Sequence, residues 1–172
     1  NHQIEGFVHS MVNKRAVLIM ATGSGKSLTI YMLCRYFIWK NMKVLLLVPR
    51  VDLVNQMNGD FKDYFYSLEN RYLAEDNQEA IKSIHKNRED LNCSNIEEHV
   101  HLIYGGQEKT TNKLISISTR DSLSLGQGRV NPIYFKDIDA FIGDEIHTIG
   151  ASTSADIVKE CSNTPYKLGF TG

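Results

Sequence analysis

Two glycines, a lysine and a serine packed into one short stretch carry the clearest chemistry in this sequence. The stretch is Met20-Ala21-Thr22-Gly23-Ser24-Gly25-Lys26-Ser27, between an apolar run at 16–20 and a helix-like run at 26–40. Glycines at 23 and 25 let the backbone curl so that successive N–H groups point inward at an anion, and a helix starting near Lys26 adds the positive end of its dipole. This is the context a phosphate loop requires. Ala21, Thr22, Gly23, Ser24 and Gly25 then form the cradle, Lys26 reaches the β and γ phosphates of a nucleotide, and the Ser27 hydroxyl is placed to ligate Mg²⁺. The general pattern has a glycine where Met20 stands. The competing reading is a glycine-rich turn that binds nothing, and it gives Gly-Lys-Ser no reason to be in register.

A nucleotide site also needs a carboxylate from a neighbouring strand end. Ala140-Phe141-Ile142-Gly143-Asp144-Glu145-Ile146-His147 supplies two, delivered by an apolar strand to the carboxyl edge where open α/β sheets place their ligands. Asp144 would hold Mg²⁺, directly or through water, and Glu145 would accept the proton of an attacking water. Taken alone, adjacent acids at a strand end are more often a solvated pair.

Both sites need a scaffold, and the sequence alternates strand-like and helix-like runs: 16–20 then 26–40, and 44–48 then 51–65. Further strands are expected at 99–104, 114–118, 140–143 and 167–171, with a helix around 154–161 and a turn at 163–165. Strand followed by helix, repeated, predicts an α/β domain with a mostly parallel central sheet flanked by helices. The runs at 16–20 and 44–48 are apolar throughout, which places both at the sheet centre. Residues 66–98 turn polar, with only Leu73, Ala80, Ile81, Ile84 and Leu91 at helical spacing. This stretch reads as an insertion containing one helix laid on the body, and nothing in it suggests chemistry.

The chain has 172 residues, 42% hydrophobic and 23% charged, enough for one globular core and too few for two. With 19 Lys and Arg against 20 Asp and Glu, the net charge is −1. That excludes a strongly basic nucleic-acid binder but not a local groove. The three cysteines, Cys34, Cys93 and Cys161, show no CxxC spacing, which argues against a disulfide framework or a zinc knuckle and for a reducing, cytoplasmic setting. No apolar run approaches the ~20 residues of a membrane-spanning helix, so no membrane partner is expected. No secretory signal is evident, and a start at Asn1 suits a piece of a longer protein.

The Ala-Thr-Gly-Ser-Gly-Lys-Ser loop, which lacks the first glycine, resembles the variant of superfamily 2 helicases, and Asp144-Glu145-Ile146-His147 resembles their DExH box. Other segments follow in the family's order. Residues 48–56 look like motif Ia, Tyr104-Gly105-Gly106 like the glycine pair of the Ib region, 118–123 like the threonine-containing motif after it, and 167–172 like motif III. The resemblance spans nearly the whole chain. Within the family, residues 56–64 and the Lys-Leu-Gly-Phe ending are most similar to the T4-type phage helicases of recombination and replication-fork DNA. Restriction-enzyme motor subunits and bacterial repair helicases are near competitors.

The resemblance implies that residues 1–172 form the N-terminal RecA-like domain of a DExH-type DNA helicase or translocase using ATP and Mg²⁺. It implies that His147 and Thr171 couple the nucleotide site to nucleic acid, and that Gln3 recognises adenine. Arg50, Gln56, Gly106 and Thr119 would line a nucleic-acid strand, single-stranded or branched DNA, through its phosphates. From the residues alone, Arg50 could equally cap the sheet edge and Thr119 could be a helix N-cap. A second RecA-like domain would supply arginines for phosphoryl transfer. The host cytoplasm is the expected location if a phage encodes the protein. Two readings from other classes remain: a binding module that holds ATP and DNA with little turnover, and a small-molecule kinase, which has no reason to carry Asp-Glu-Ile-His.

Overall fold

Residues 44–48 read Val-Leu-Leu-Leu-Val, and all are buried. A run with no polar face belongs in the middle of a sheet covered on both sides. The computed structural model describes residues 2–105, 111–126, 129–130, 132–148, 156 and 159–172. In chain order the elements are α1 (His2–Asn13), β1 (Arg15–Ile19), α2 (Lys26–Trp39), β2 (Val44–Val48), α3 (Val51–Ala74), α4 (Gln78–Asp90), β3 (Val100–Ile103) and β4 (Ile115–Thr119). They continue with α5 (Arg120–Leu123), β5 (Ser124–Gly126), β6 (Arg129–Val130), β7 (Ala140–Gly143) and β8 (Tyr166–Thr171), with 3-10 turns at Ile96–Glu98, Pro132–Phe135 and Ile146–Thr148.

Six strands form one sheet in the order β1-β8-β7-β2-β4-β3, and every neighbouring pair is parallel. β5 and β6 make a separate antiparallel pair. The side chains of β2 alternate between two cores. Val44, Leu46 and Val48 join Ile30, Leu33, Phe37, Val54 and Phe61 on one face, and Leu45 and Leu47 join Ile103, Leu123, Tyr134 and Phe135 on the other. Because all six strands run the same way, residues 20–27, 48–50, 119–122, 144–147 and 171–172 follow the same edge of the sheet.

Three expectations change. The run expected at 16–20 is β1, and it lies at a sheet edge rather than the centre, with Val17 59% and Ile19 84% exposed. An apolar run sets a strand, but the order of strands decides which faces are covered. The helix expected at 51–65 continues to Ala74, well into the stretch read as an insertion. No proline interrupts it, and Val54, Met57, Phe61 and Phe65 bury one stripe at helical spacing. The single helix expected inside 66–98 is α4, docked on the far half of α3. Finally, α1 and the β5–β6 pair had no counterpart in the sequence reading, α5 is the short helix that the N-cap alternative for Thr119 implied, and most of the helix expected around 154–161 lies outside the described residues.

The dock between α3 and α4 is polar at its centre. Arg88 Nη1 donates to Glu69 Oε2 at 2.6 Å and Nη2 to the Phe65 carbonyl at 2.6 Å, with the guanidinium 3.9 Å from the Phe65 ring centroid. His85 Nε2 lies 2.7 Å from Glu69 Oε1. The His85 hydrogen bond, followed by Arg88, holds the Glu69 carboxyl below its ordinary range. A carboxyl whose folded pKa is depressed stabilises the fold above its unfolded pKa and loses that contribution as pH falls through the folded value. Arg88→Ala leaves Glu69 with His85 alone and takes the second partner from the Phe65 carbonyl, and should cost about 1–2 kcal/mol in denaturant unfolding. Glu69→Gln should flatten the acid limb of stability against pH, and an unchanged limb would show that this pair does not hold α4 down.

Candidate functional site

The phosphate loop leaves β1 at Met20, whose N–H donates to the Thr171 carbonyl at 2.7 Å and so ties the loop's base to the neighbouring strand β8. Gly25 takes φ +85 at the N-cap of α2, where no side chain caps the helix. The first N–H groups of α2 and its positive dipole end are thereby left to an anion in the loop. From α1, Gln3 Nε2 donates to the Ser24 carbonyl at 2.9 Å, and His2 Nε2 lies 2.7 Å from the same oxygen. α1 therefore buttresses the loop from behind.

β7 ends one strand beyond β8. Asp144 N donates to the Leu47 carbonyl at 2.8 Å, and Glu145 N to Asp144 Oδ1 at 3.0 Å. Glu145 adopts φ 48, a left-handed conformation that turns the chain sharply after Asp144. Ile146 packs onto the sheet at Gly143 and Gly169, where an added Cβ would come within 2.6 and 2.5 Å of it. Only glycines at both places let the turn lie this close.

Across β8 the two segments meet. Lys26 Nζ donates to Glu145 Oε1 and lies 3.7 Å from Asp144 Oδ1. Burial pushes the Asp144 carboxyl up, against Lys26, which pulls it down. The Lys26 hydrogen bond holds the Glu145 carboxyl below its ordinary range, and the charges of Lys26 and His147 add to this. Glu145 is ionised at neutral pH, the state in which it can take a proton. His147 Nδ1 lies 2.6 Å from Thr171 Oγ1 and 3.4 Å from Glu145 Oε2, so the pair expected to couple the sites is in direct contact.

A cavity of about 500 Å³ opens between these groups, lined by Thr22, Gly23, Gly25, Lys26, Ser27, Asp144 and Glu145 on one side and by α3 on the other. From α3 come Leu53, Gln56, Met57, Asp60 and Tyr64. Among the described residues, Ser24 Oγ and Glu145 Oε2 are buried without a hydrogen-bond partner. The arrangement suits a polyphosphate: curled loop, uncapped helix, one ammonium and two acids in a single cleft.

The remaining expected residues distribute unevenly. Gln56 lines the same cavity as the phosphate loop. Arg50 precedes α3 on the surface, paired with Asp52 at 2.9 Å. Thr119 is buried, and its Oγ1 accepts from Ser122 N at 3.3 Å and meets Ser122 Oγ at 2.8 Å, so its hydroxyl serves as the cap of α5. Gly106 lies outside the described residues. Sequence reading missed the α3 wall, His2 and Gly172, whose backbone reaches Glu145. One signal was present, since Gln56, Asp60 and Tyr64 recur every four residues and must share a helix face.

Comparison with known proteins gives a consistent picture. Residues 2–172 match the family described as "Type III restriction enzyme, res subunit". A segment of 64 residues, 37% of this chain and 13% of the relative, is 38% identical to the ATP-dependent DNA helicase UvsW of Enterobacteria phage T4. The crystal structure of the UvsW helicase from bacteriophage T4 superposes over 99% of this chain and 51% of its own length, with a TM-score of 0.72 at 21% identity. The Sulfolobus solfataricus SWI2/SNF2 ATPase core in complex with dsDNA covers 99% of this chain and 31% of its own, with a TM-score of 0.56 at 14% identity. The chain thus spans about half or less of the length of each of these relatives, and the likeness to the solved structures establishes the RecA-like helicase fold.

Gly25 offers a test of the loop's geometry. A Cβ there would sit 2.8 Å from Gln3 Nε2, and the left-handed φ would be strained for any L side chain. Gly25→Ala should destabilise the protein by about 1–2 kcal/mol in thermal or denaturant unfolding. Removing the contact with Gln3→Ala should leave most of that loss in place. Full recovery in the double variant would mean that the loop backbone is not held left-handed.

Proposed function

We propose that this chain, which belongs to the family described as the res subunit of type III restriction enzymes, is the first RecA-like domain of a DNA helicase or translocase, binding and hydrolysing ATP to move on or remodel single-stranded or branched DNA. The observation that carries this reading is the meeting of Lys26 with Asp144 and Glu145 in one cavity across β8. The similarity to a protein named an ATP-dependent DNA helicase supports the substrate and the track. All of residues 1–172, the polar α4 region included, belong to this one domain.

ATP fits the loop. The buried, unpartnered Ser24 hydroxyl and the uncapped start of α2 are donors suited to phosphate oxygens. Mg²⁺ fits the donor set, because the Ser27 hydroxyl and Asp144 are hard oxygen donors. Among the described residues no three His, Cys, Asp or Glu side chains converge, and sparse protein ligation is how Mg²⁺ binds beside phosphates. When bound, the ion neutralises phosphate charge.

Ala21 to Gly25 wrap the phosphates, and Lys26 turns to them, which requires it to leave Glu145. Glu145, released, is the base for the attacking water. His147 and Thr171 carry the change at Glu145 into β8. Arg50 and Gln56 at the start of α3, Gly106, and Thr119 through the turn it caps contact DNA phosphates. Gln3 reaches adenine from α1 while its amide steadies Ser24. The protein works in the cytoplasm, that of the host if a phage encodes it.

A second reading is an ATP- and DNA-holding module with little turnover of its own. It is favoured by the absence of any arginine among the described residues that line the cavity, since phosphoryl transfer in this class draws on an arginine, here from a second RecA-like domain. A restriction-type translocase is the variant of the first reading that the family match favours.

Steady-state ATP hydrolysis by the full-length protein and by this chain alone, with and without single-stranded and branched DNA, separates these readings. DNA stimulation of the full-length protein but not of the isolated chain supports the motor. A full-length protein indifferent to any nucleic acid contradicts it. In the full-length protein, Glu145→Gln should lower kcat by about 10²–10⁴-fold while ATP still binds, and Lys26→Ala should weaken both binding and turnover. Near-normal turnover in Glu145→Gln would show that another group is the base.

A further inference from the structure

Two polar residues on α3 that close the cavity, Asp60 and Tyr64, have no part in the proposed binding and hydrolysis. Tyr64 OH lies 2.7 Å from Ser27 Oγ. Asp60, one turn earlier on the same face, lines the same cavity as Ser27 and Tyr64. The Tyr64 ring is fixed by Tyr31, with centroids 5.5 Å apart, and Tyr31 packs on Phe61 at 5.4 Å. The phenol oxygen is thus set by a rigid aromatic cluster rather than by a mobile side chain.

A serine hydroxyl has one proton and two lone pairs. To ligate a cation it must turn a lone pair toward the ion, and its proton must then go to an acceptor on the other side. Metal ligands are oriented and made more basic by the groups that take up their remaining hydrogen bonds. In this fold those groups come from α3, an element outside the phosphate loop.

Resting on the reading that Ser27 holds Mg²⁺, we propose that Tyr64 is the positioning residue of that site: its phenol oxygen accepts the Ser27 proton and fixes the hydroxyl with a lone pair toward the ion, with Asp60 beside it as a second acceptor. Tyr64 touches neither phosphate nor metal and acts through Ser27. The long helix α3 is then a wall of the metal site as well as the element that follows Arg50.

The test is the affinity of a fluorescent ATP analogue for the full-length protein, titrated across Mg²⁺ concentrations and in excess chelator. Wild-type protein should bind more tightly with Mg²⁺. Tyr64→Phe keeps the ring and loses the oxygen, so it should lose about tenfold of the Mg²⁺-dependent gain while its affinity in chelator stays at the wild-type value. In a Ser27→Ala background the same substitution should have no effect, which a merely structural role of Tyr64 would not produce. Wild-type Mg²⁺ dependence in Tyr64→Phe, or an equal loss with and without Ser27, overturns the proposal while leaving the metal reading intact. If the wild-type affinity ignores Mg²⁺ altogether, the metal reading falls and this proposal with it.

Discussion

One ammonium group is claimed by two sets of anions. In this structure Lys26 is held by Glu145, with Asp144 beside it; in the proposed function the same Nζ must hold phosphates. Much of the fold serves to bring this contact about. The lysine and the acids lie far apart in sequence, and only the strand order β1-β8-β7 places their strand ends one strand apart. Gly143 and Gly169 let Ile146 settle onto the sheet, and the left-handed Glu145 aims its carboxylate back across β8. In the proposed function the ion pair is a resting arrangement that a nucleotide would undo, and undoing it would free the group proposed to take the water's proton.

The second constraint is that the cleft has two walls of different origin. The phosphate loop and the β7 turn come from the sheet edge, and α3 comes from the flanking layer, anchored by Val54, Met57, Phe61 and Phe65 in the core. Its far half is braced by α4 through Arg88 and Glu69. The polar stretch after Tyr66 thus has a structural part, extending and fixing the helix whose earlier turns face the site. It is less a decoration on the surface than the support of one wall.

The loop's geometry was legible because it depends on backbone shape and local residue type: the left-handed Gly25 and the start of α2 at Lys26 follow from one short stretch of sequence. The pair Asp144 and Glu145 was legible as the end of an apolar strand, and the contact of His147 with Thr171 came from the family's pattern. The edge position of β1 was not legible, because Val17 and Ile19 look the same whether another strand covers them or not. The end of α3 was missed because a polar surface beyond Phe65 looks like an insertion until Arg88 is seen to pair with it from another helix. The spacing of Asp60 and Tyr64 showed a shared helix face, but not what that face meets, since the Tyr64 partner Ser27 sits on a different element. The cap made by Thr119 shows the converse: a hydroxyl in a family motif can be fully used by local structure.

The shared lysine can be tested directly by calorimetric binding of a non-hydrolysable ATP analogue to full-length wild-type protein and to the variant in which Glu145 is an uncharged glutamine. If Glu145 competes with phosphates for Lys26, removing its charge should tighten binding by about two- to fivefold, the size expected for a partly exposed ion pair. Unchanged or weaker binding would contradict the account, because Lys26 would then owe nothing to Glu145 before the nucleotide arrives.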